Sequence, residues 1–167
     1  MSASAITTAL VEEVNFRLFD ECVPRIQNCL DRLTEDQVWW RPNSASNSIG
    51  NLVLHLCGNV RQWIVSGVGE QTDVRRRSEE FSEEGPLPKD KLIALLGQLE
   101  PDVRNVLAEV TSDDLLVVKP VQVYEHTVLT MLIHVTEHFS YHTGQIAWIT
   151  KMLTSKDLGF YAGQDLG

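Results

Sequence analysis

The sequence predicts an all-α protein, a four-helix bundle with long crossover connections, and three observations carry that prediction. Four stretches place apolar residues at helical spacing. Clusters of Pro, Gly, Ser and Asn separate them. One short segment reads as extended, and no second segment is assigned to pair with it. With 167 residues, of which 43% are hydrophobic, there is material for a packed core, and one domain spanning 1–167 is the expected organisation.

The first helix is expected over residues 5–33, where Ile6, Leu10, Val14, Leu18, Val23, Ile26, Leu30 and Leu33 recur at helical spacing. Pro24 should kink it, because a proline removes an interior hydrogen bond. The segment LTEDQVWWRPNSASNS breaks the pattern, and Ser46 or Asn47 is positioned to cap the next helix. That second helix is expected over 48–65, ended by Gly67 and Gly69. A polar stretch through EEGPLPKD leads to a third over 89–110, with a kink at Pro101. LLVVKPVQVYEH is rich in β-branched residues and reads as an extended crossover. The fourth helix covers 127–153, and the glycine-rich tail TSKDLGFYAGQDLG reads as irregular. That last helix is apolar around much of its circumference, which predicts burial at the centre of the bundle or against a second copy in a homodimer.

Composition narrows the partners. The net charge is −9, and the one basic cluster, Arg75 to Arg77, runs straight into Glu79, Glu80, Glu83 and Glu84, so nucleic acid is not an expected partner and the run reads as a solvated loop or helix end. No apolar run reaches membrane-spanning length, and the start of the chain lacks the pattern of a secretory leader, so the expected location is cytoplasmic, with no membrane partner. Cys22, Cys29 and Cys57 are odd in number and lack metal-site spacing, which suits buried thiols filling the core.

Three of the five histidines lie in HVTEHFSYHTGQI. A step of four residues advances about 400° around a helix, so His134, His138 and His142 share one face. His134 would stand about 12 Å along the axis from His142, too far for all three to bind one ion. On the second helix His55 lies on a stripe with Ser48, Asn51, Asn59 and Gln62 that is polar but uncharged, as the lining of an internal pocket would be. His55 facing His138 and His142 across the bundle would give three imidazoles around one divalent ion and leave open positions, the catalytic type of site. Asn51, Asn59, His134 and Gln145 then read as hydrogen-bonding support for the ligands or as pocket wall. No catalytic residue is assigned. A competing pattern, His134-Val-Thr-Glu137-His138, matches the H-x-x-E-H of inverted zinc peptidases but leaves His55 and His142 without a role.

The Trp40-Arg41-Pro42 connection, the helix NSIGNLVLHL with its single histidine, and the closing His138-x-x-x-His142-x-Gly144-Gln145 resemble the DinB/YfiT-like superfamily of small four-helix bundles over residues 10–153. The resemblance implies a metal triad at His55, His138 and His142, with zinc or nickel as the ion, and a homodimer. It also implies a thiol-dependent S-transferase or isomerase acting on a small-molecule substrate with a low-molecular-weight thiol such as mycothiol, bacillithiol or glutathione. A metal-activated water would instead make the protein a hydrolase, and the alternative from a different class is a non-catalytic, dimeric metal-binding bundle protein of stress response.

Overall fold

The structure, a computed structural model, describes residues 3–85, 87–165 and 167; the expectations touching Met1, Ser2, Pro86 and Leu166 lie outside these. Four long helical rods form the bundle. The first is continuous from α1 (Ala3–Asn15) through a π-helical segment (Phe16–Cys22) into α2 (Val23–Asp31). Val23 N–H still reaches back five residues to Leu18, so Pro24 falls where the ladder changes from i→i+5 to i→i+4 bonding, a place where a missing donor costs little. A short helix α3 (Glu35–Trp39) comes after it, closed at its start by a capping box between Thr34 and Gln37.

The second rod is α4 (Ile49–Val60) extended by a second π-helical segment (Arg61–Val68). Its cap is Ser48, one residue beyond the expected pair, and Asn51 closes the reciprocal bond of a capping box. Gly67 does not end this rod as expected. It lies inside the π segment, where a Cβ would collide with Met131 Cε, so its role is close approach to the last helix; Gly69 is the terminating residue. A short helix α5 (Arg77–Ser82) comes next, then the third rod, α6 (Lys89–Ala108), which runs through Pro101 without interruption. The fourth rod is α7 (Val128–Thr154), capped by the Thr127 hydroxyl. α4 packs against both α6 and α7, and α2 against the same two.

The extended crossover needs correction. It is a β-hairpin, β1 (Val118–Val121) with β2 (Tyr124–Thr127), paired antiparallel so that Val118 opposes Thr127 and Val121 opposes Tyr124. The partner strand is hard to see in the sequence because the turn is Gln122-Val123 rather than the Asn-Gly or Asp-Gly that marks a two-residue turn; Gln122 takes the positive φ of 56° itself. Lys119 Nζ ties the hairpin to Val68 O and Glu70, each at 2.8 Å.

The core runs along the rods through Leu18, Ile26, Leu30, Leu56, Ile64, Leu96, Leu99 and Phe139, all under 2% exposed. The last helix buries Val128, Met131, Leu132, Val135, Phe139 and Ile146 at three- and four-residue steps. Ile133, Tyr141, Trp148 and Met152 remain exposed. All three cysteines are buried and unpaired, and burial pushes the Cys57 thiol up to about 12, which makes it an inert filler. No helix among the described residues is long and apolar enough to cross a membrane.

Candidate metal centre

α4 and α7 bring together three histidines from the two sequence stripes. His55, His138 and His142 each offer a ring nitrogen, these atoms lie within 4.8 Å of one another, and among the described residues this is the one group of three such donors. His55 Nε2 and His138 Nε2 stand 3.0 Å apart, and the His138 and His142 ring centres 4.5 Å apart. Three histidines this close could bind a metal ion.

The outer nitrogens decide which atoms face inward. His55 Nδ1 lies 3.0 Å from Glu80 Oε2, and a carboxylate can only accept, so Nδ1 carries the proton and the lone pair is left on Nε2, toward the other two rings. His142 Nδ1 is held by Gln145 Oε1 at 2.6 Å in the same manner, and Gln145 Nε2 donates in turn to Tyr141 Oη. His138 Nδ1 is buried and carries no hydrogen bond. Two of the three rings are therefore oriented from behind, as ligands are in metal sites.

Glu80 and its partner Arg75 are the residues to which the sequence assigned no role in the site. The run Arg75 to Glu84 is not solvated throughout: the side chains of Arg75 and Glu80 are 3% and 10% exposed and form a two-pronged ion pair, Arg75 Nε to Glu80 Oε1 at 2.7 Å and Nη2 to Oε2 at 2.8 Å. Burial works to raise the Glu80 pKa, but the hydrogen bonds from Arg75 and His55 outweigh it and hold the carboxyl below its usual range. Gly58, one turn after His55, makes room for the pair, since a Cβ there would collide with Glu80 Oε1 and approach Arg75 Nε. A glycine inside an otherwise apolar helix, next to a histidine, was the available hint.

Asn51 acts one step further back. It touches no histidine of the trio; its Nδ2 donates to Glu80 O at 2.9 Å and Glu83 O at 2.7 Å, and Arg41 Nη2 reaches Asn51 Oδ1, Phe81 O and Glu83 O. Together they anchor α5 so that Glu80 meets His55. His134 stands outside the trio, with its ring 4.0 Å from that of Trp63 and 5.5 Å from that of His138. Glu137 is exposed, and the one group of three metal donors found among the described residues includes neither Glu137 nor His134. Asn59 lines a cleft beside the trio.

Burial lowers the pKa of His138 to about 3, with the neighbouring His142 and His55 adding to the effect, and it lowers that of His142 against the opposing bond from Gln145. Both rings are neutral at pH 7, the state that ligates. In the metal-free protein an unfolded histidine, with a pKa of about 6.5, binds a proton that folded His138 refuses down to about 3. The stability of that form is expected to fall as pH drops from about 6.5 toward 3. Urea midpoints across this window should decline less steeply in a His138→Gln variant, and an unchanged slope would be the contrary result.

Gln145 gives a second check. Gln145→Leu frees the His142 ring to turn, and a lost outer partner typically costs about 10–100-fold in metal affinity. Competition with a chromophoric chelator measures this, with the melting temperature expected to change little because Gln145 is half-buried at most.

Comparison with known proteins places the fold. A conserved protein from Enterococcus faecalis matches with a TM-score of 0.69 at 13% identity, covering 93% of this chain and 99% of that one. A DinB-like protein from Bacillus cereus ATCC 10987 matches with a TM-score of 0.63 at 16% identity, covering 83% and 90%. No curated protein sequence matches. The DinB-like, all-α fold read from the sequence is thus the fold of the molecule. The family model described as "Protein of unknown function (DUF1572)" matches residues 6–161, nearly the whole of the four-rod bundle and all three histidines, and the chain belongs to that family.

Proposed function

We propose that this protein is a divalent-metal-dependent enzyme acting on a small molecule, with His55, His138 and His142 as the protein's ligands to the ion. The observation that carries this reading is the Glu80–His55 contact at 3.0 Å, which fixes the lone pair of His55 toward two rings kept neutral by burial. A purely structural histidine cluster has no need of a carboxylate that is itself buried and paired behind one ring. Three neutral ligands leave the ion its full charge and open coordination positions.

When bound, a divalent ion in such a site supplies Lewis acidity, lowering the pKa of a water or a thiol that enters an open position. The chain's own residues supply orientation. Glu80 and Gln145 hold two of the rings, and Arg75 holds Glu80. Glu80 is not available as a general base, since both of its oxygens are engaged by Arg75 and one also by His55. The proposed chemistry is thiol-dependent transfer or isomerisation, or hydrolysis, with zinc or nickel as the ion.

Elemental analysis of the purified protein beside His55→Ala and His142→Ala variants tests the ligand set. Stoichiometric metal in the parent and none in either variant is expected, whereas undiminished metal in both would refute the trio. Incubating metal-loaded protein with a reactive electrophile and glutathione, or with activated esters alone, then tests catalysis. Turnover that disappears in both variants supports an enzyme; metal binding without turnover on any of these favours a binding protein.

A further inference from the structure

Among the described residues, four buried side-chain polar atoms have no hydrogen-bond partner. Three of them, Asn59 Oδ1, Trp63 Nε1 and His138 Nδ1, belong to residues that line one cleft of about 320 Å³ beside the histidine trio. Trp63 is 3% exposed and Asn59 4%. Leaving a buried donor or acceptor unpaired costs on the order of 1–3 kcal/mol each, so such a cluster in one place calls for a partner that arrives from outside.

The cleft's chemistry specifies that partner. The indole N–H of Trp63 can only donate, so the partner must present an acceptor. The side amide of Asn59 offers one edge of either sense, according to which way it is turned. Among the described residues that line the cleft there is no carboxylate, although the chain as a whole carries a net charge of −9. Two arginines do line it: Arg75, already paired with Glu80, and Arg77, exposed at the rim over the Phe81 ring at 4.9 Å. Aromatic rings make up much of the remaining lining, with His134 packed on Trp63 at 4.0 Å. The hairpin lays His126 on Trp63 with ring centres 5.8 Å apart and 24° between planes, and Tyr124 on His126 at 5.6 Å and 27°.

We infer that this cleft is the substrate-recognition pocket and that it takes a small, planar molecule bearing a carboxylate, whose oxygens accept from Trp63 Nε1 and face Arg77 while its flat body packs against the His126 and Tyr124 rings of the hairpin. This deepens the proposed function and rests on it for the word substrate; the binding itself does not depend on an ion. The volume, at the small end for ligand sites, limits the guest to a molecule of about a single ring. The hairpin, more than a connection between helices, is then the element that supplies specificity.

Benzoate and its uncharged counterpart benzamide are the probes, titrated by calorimetry into metal-free and metal-loaded protein, with metal content measured on the same samples. Benzoate is expected to bind both forms, on the order of tenfold tighter than benzamide, because charge-assisted bonds are about twice as strong as neutral ones. Trp63→Phe and Arg77→Gln should each weaken benzoate about two- to tenfold with metal content unchanged. Arg77 is a surface residue, so its variant keeps the test decisive should Trp63→Phe fold poorly. Equal affinity for the two probes, or no binding of either, overturns the inference. So does benzoate that binds only the loaded protein and ignores both substitutions, since it is then ligating the ion. A preference for benzoate in a protein that takes up no metal leaves the cleft standing and removes the metal reading.

Discussion

Metal content is expected to fall from stoichiometric to background when His138 is replaced by alanine, with the fold retained. The three ring centres form a triangle with sides of 4.9, 5.1 and 4.5 Å, so without His138 only two donors remain, one from each helix. The loss should exceed the about 10–100-fold that removal of an outer partner costs, because a ligand itself is gone. The variant is also the cleanest of the three. His138 Nδ1 makes no hydrogen bond, so its removal strands no partner on that side, whereas His55→Ala removes a hydrogen-bond donor from the buried Glu80 carboxylate. A half-buried ring lost from a helix face costs about 0.5–3 kcal/mol, within what a bundle of this size tolerates. Plasma mass spectrometry for the metal and urea denaturation for the fold decide the matter: retained metal with retained fold would mean that His138 is not a ligand.

The largest effect on stability is expected at the pair behind His55. Glu80→Ala removes the carboxylate and leaves the Arg75 guanidinium buried without its counter-charge, a change that costs about 3–5 kcal/mol in comparable pairs. Arg75 would keep its bond to Gln62 Oε1 at 2.8 Å, and its approach to His55 Nδ1 at 3.1 Å becomes a hydrogen bond only when that nitrogen gives up its proton. A double variant, Arg75→Met with Glu80→Leu, replaces the pair by apolar groups of similar size and should recover most of that stability, since buried pairs are often no better than a packed hydrophobic substitute. Metal affinity should not recover, because nothing then orients His55. Denaturation midpoints and chelator competition on the same three proteins separate the two roles. If the double variant regains both stability and affinity, the pair is structural only and does not orient His55.

How much of this was legible in the sequence differs by element. The four rods were legible because each buries an apolar stripe whose helical period is written locally, and His138 with His142 on one face follows from the same period. His55 was legible as a partner because its stripe is polar without being charged. The hairpin was not, since its turn residues carry no special marker and its pairing is with its own neighbour rather than with a second recognisable strand. Asn51 was legible as a residue of interest but not in its role, which is to cap α4 and hold α5.

Helical periodicity, a property of residues three and four apart, therefore determined the bundle and placed both halves of the trio on helix faces. Only the tertiary structure decided what stands behind and beside it. Arg75 and Glu80 look like any other members of a solvated charge run until α5 folds over Gly58 and buries them against His55. Trp63, Tyr124 and His126 are ordinary aromatics until the hairpin stacks them beside the trio. Burial and long-range contact depend on which elements meet, and a local pattern holds no record of a meeting between residues twenty-five or sixty-three positions apart.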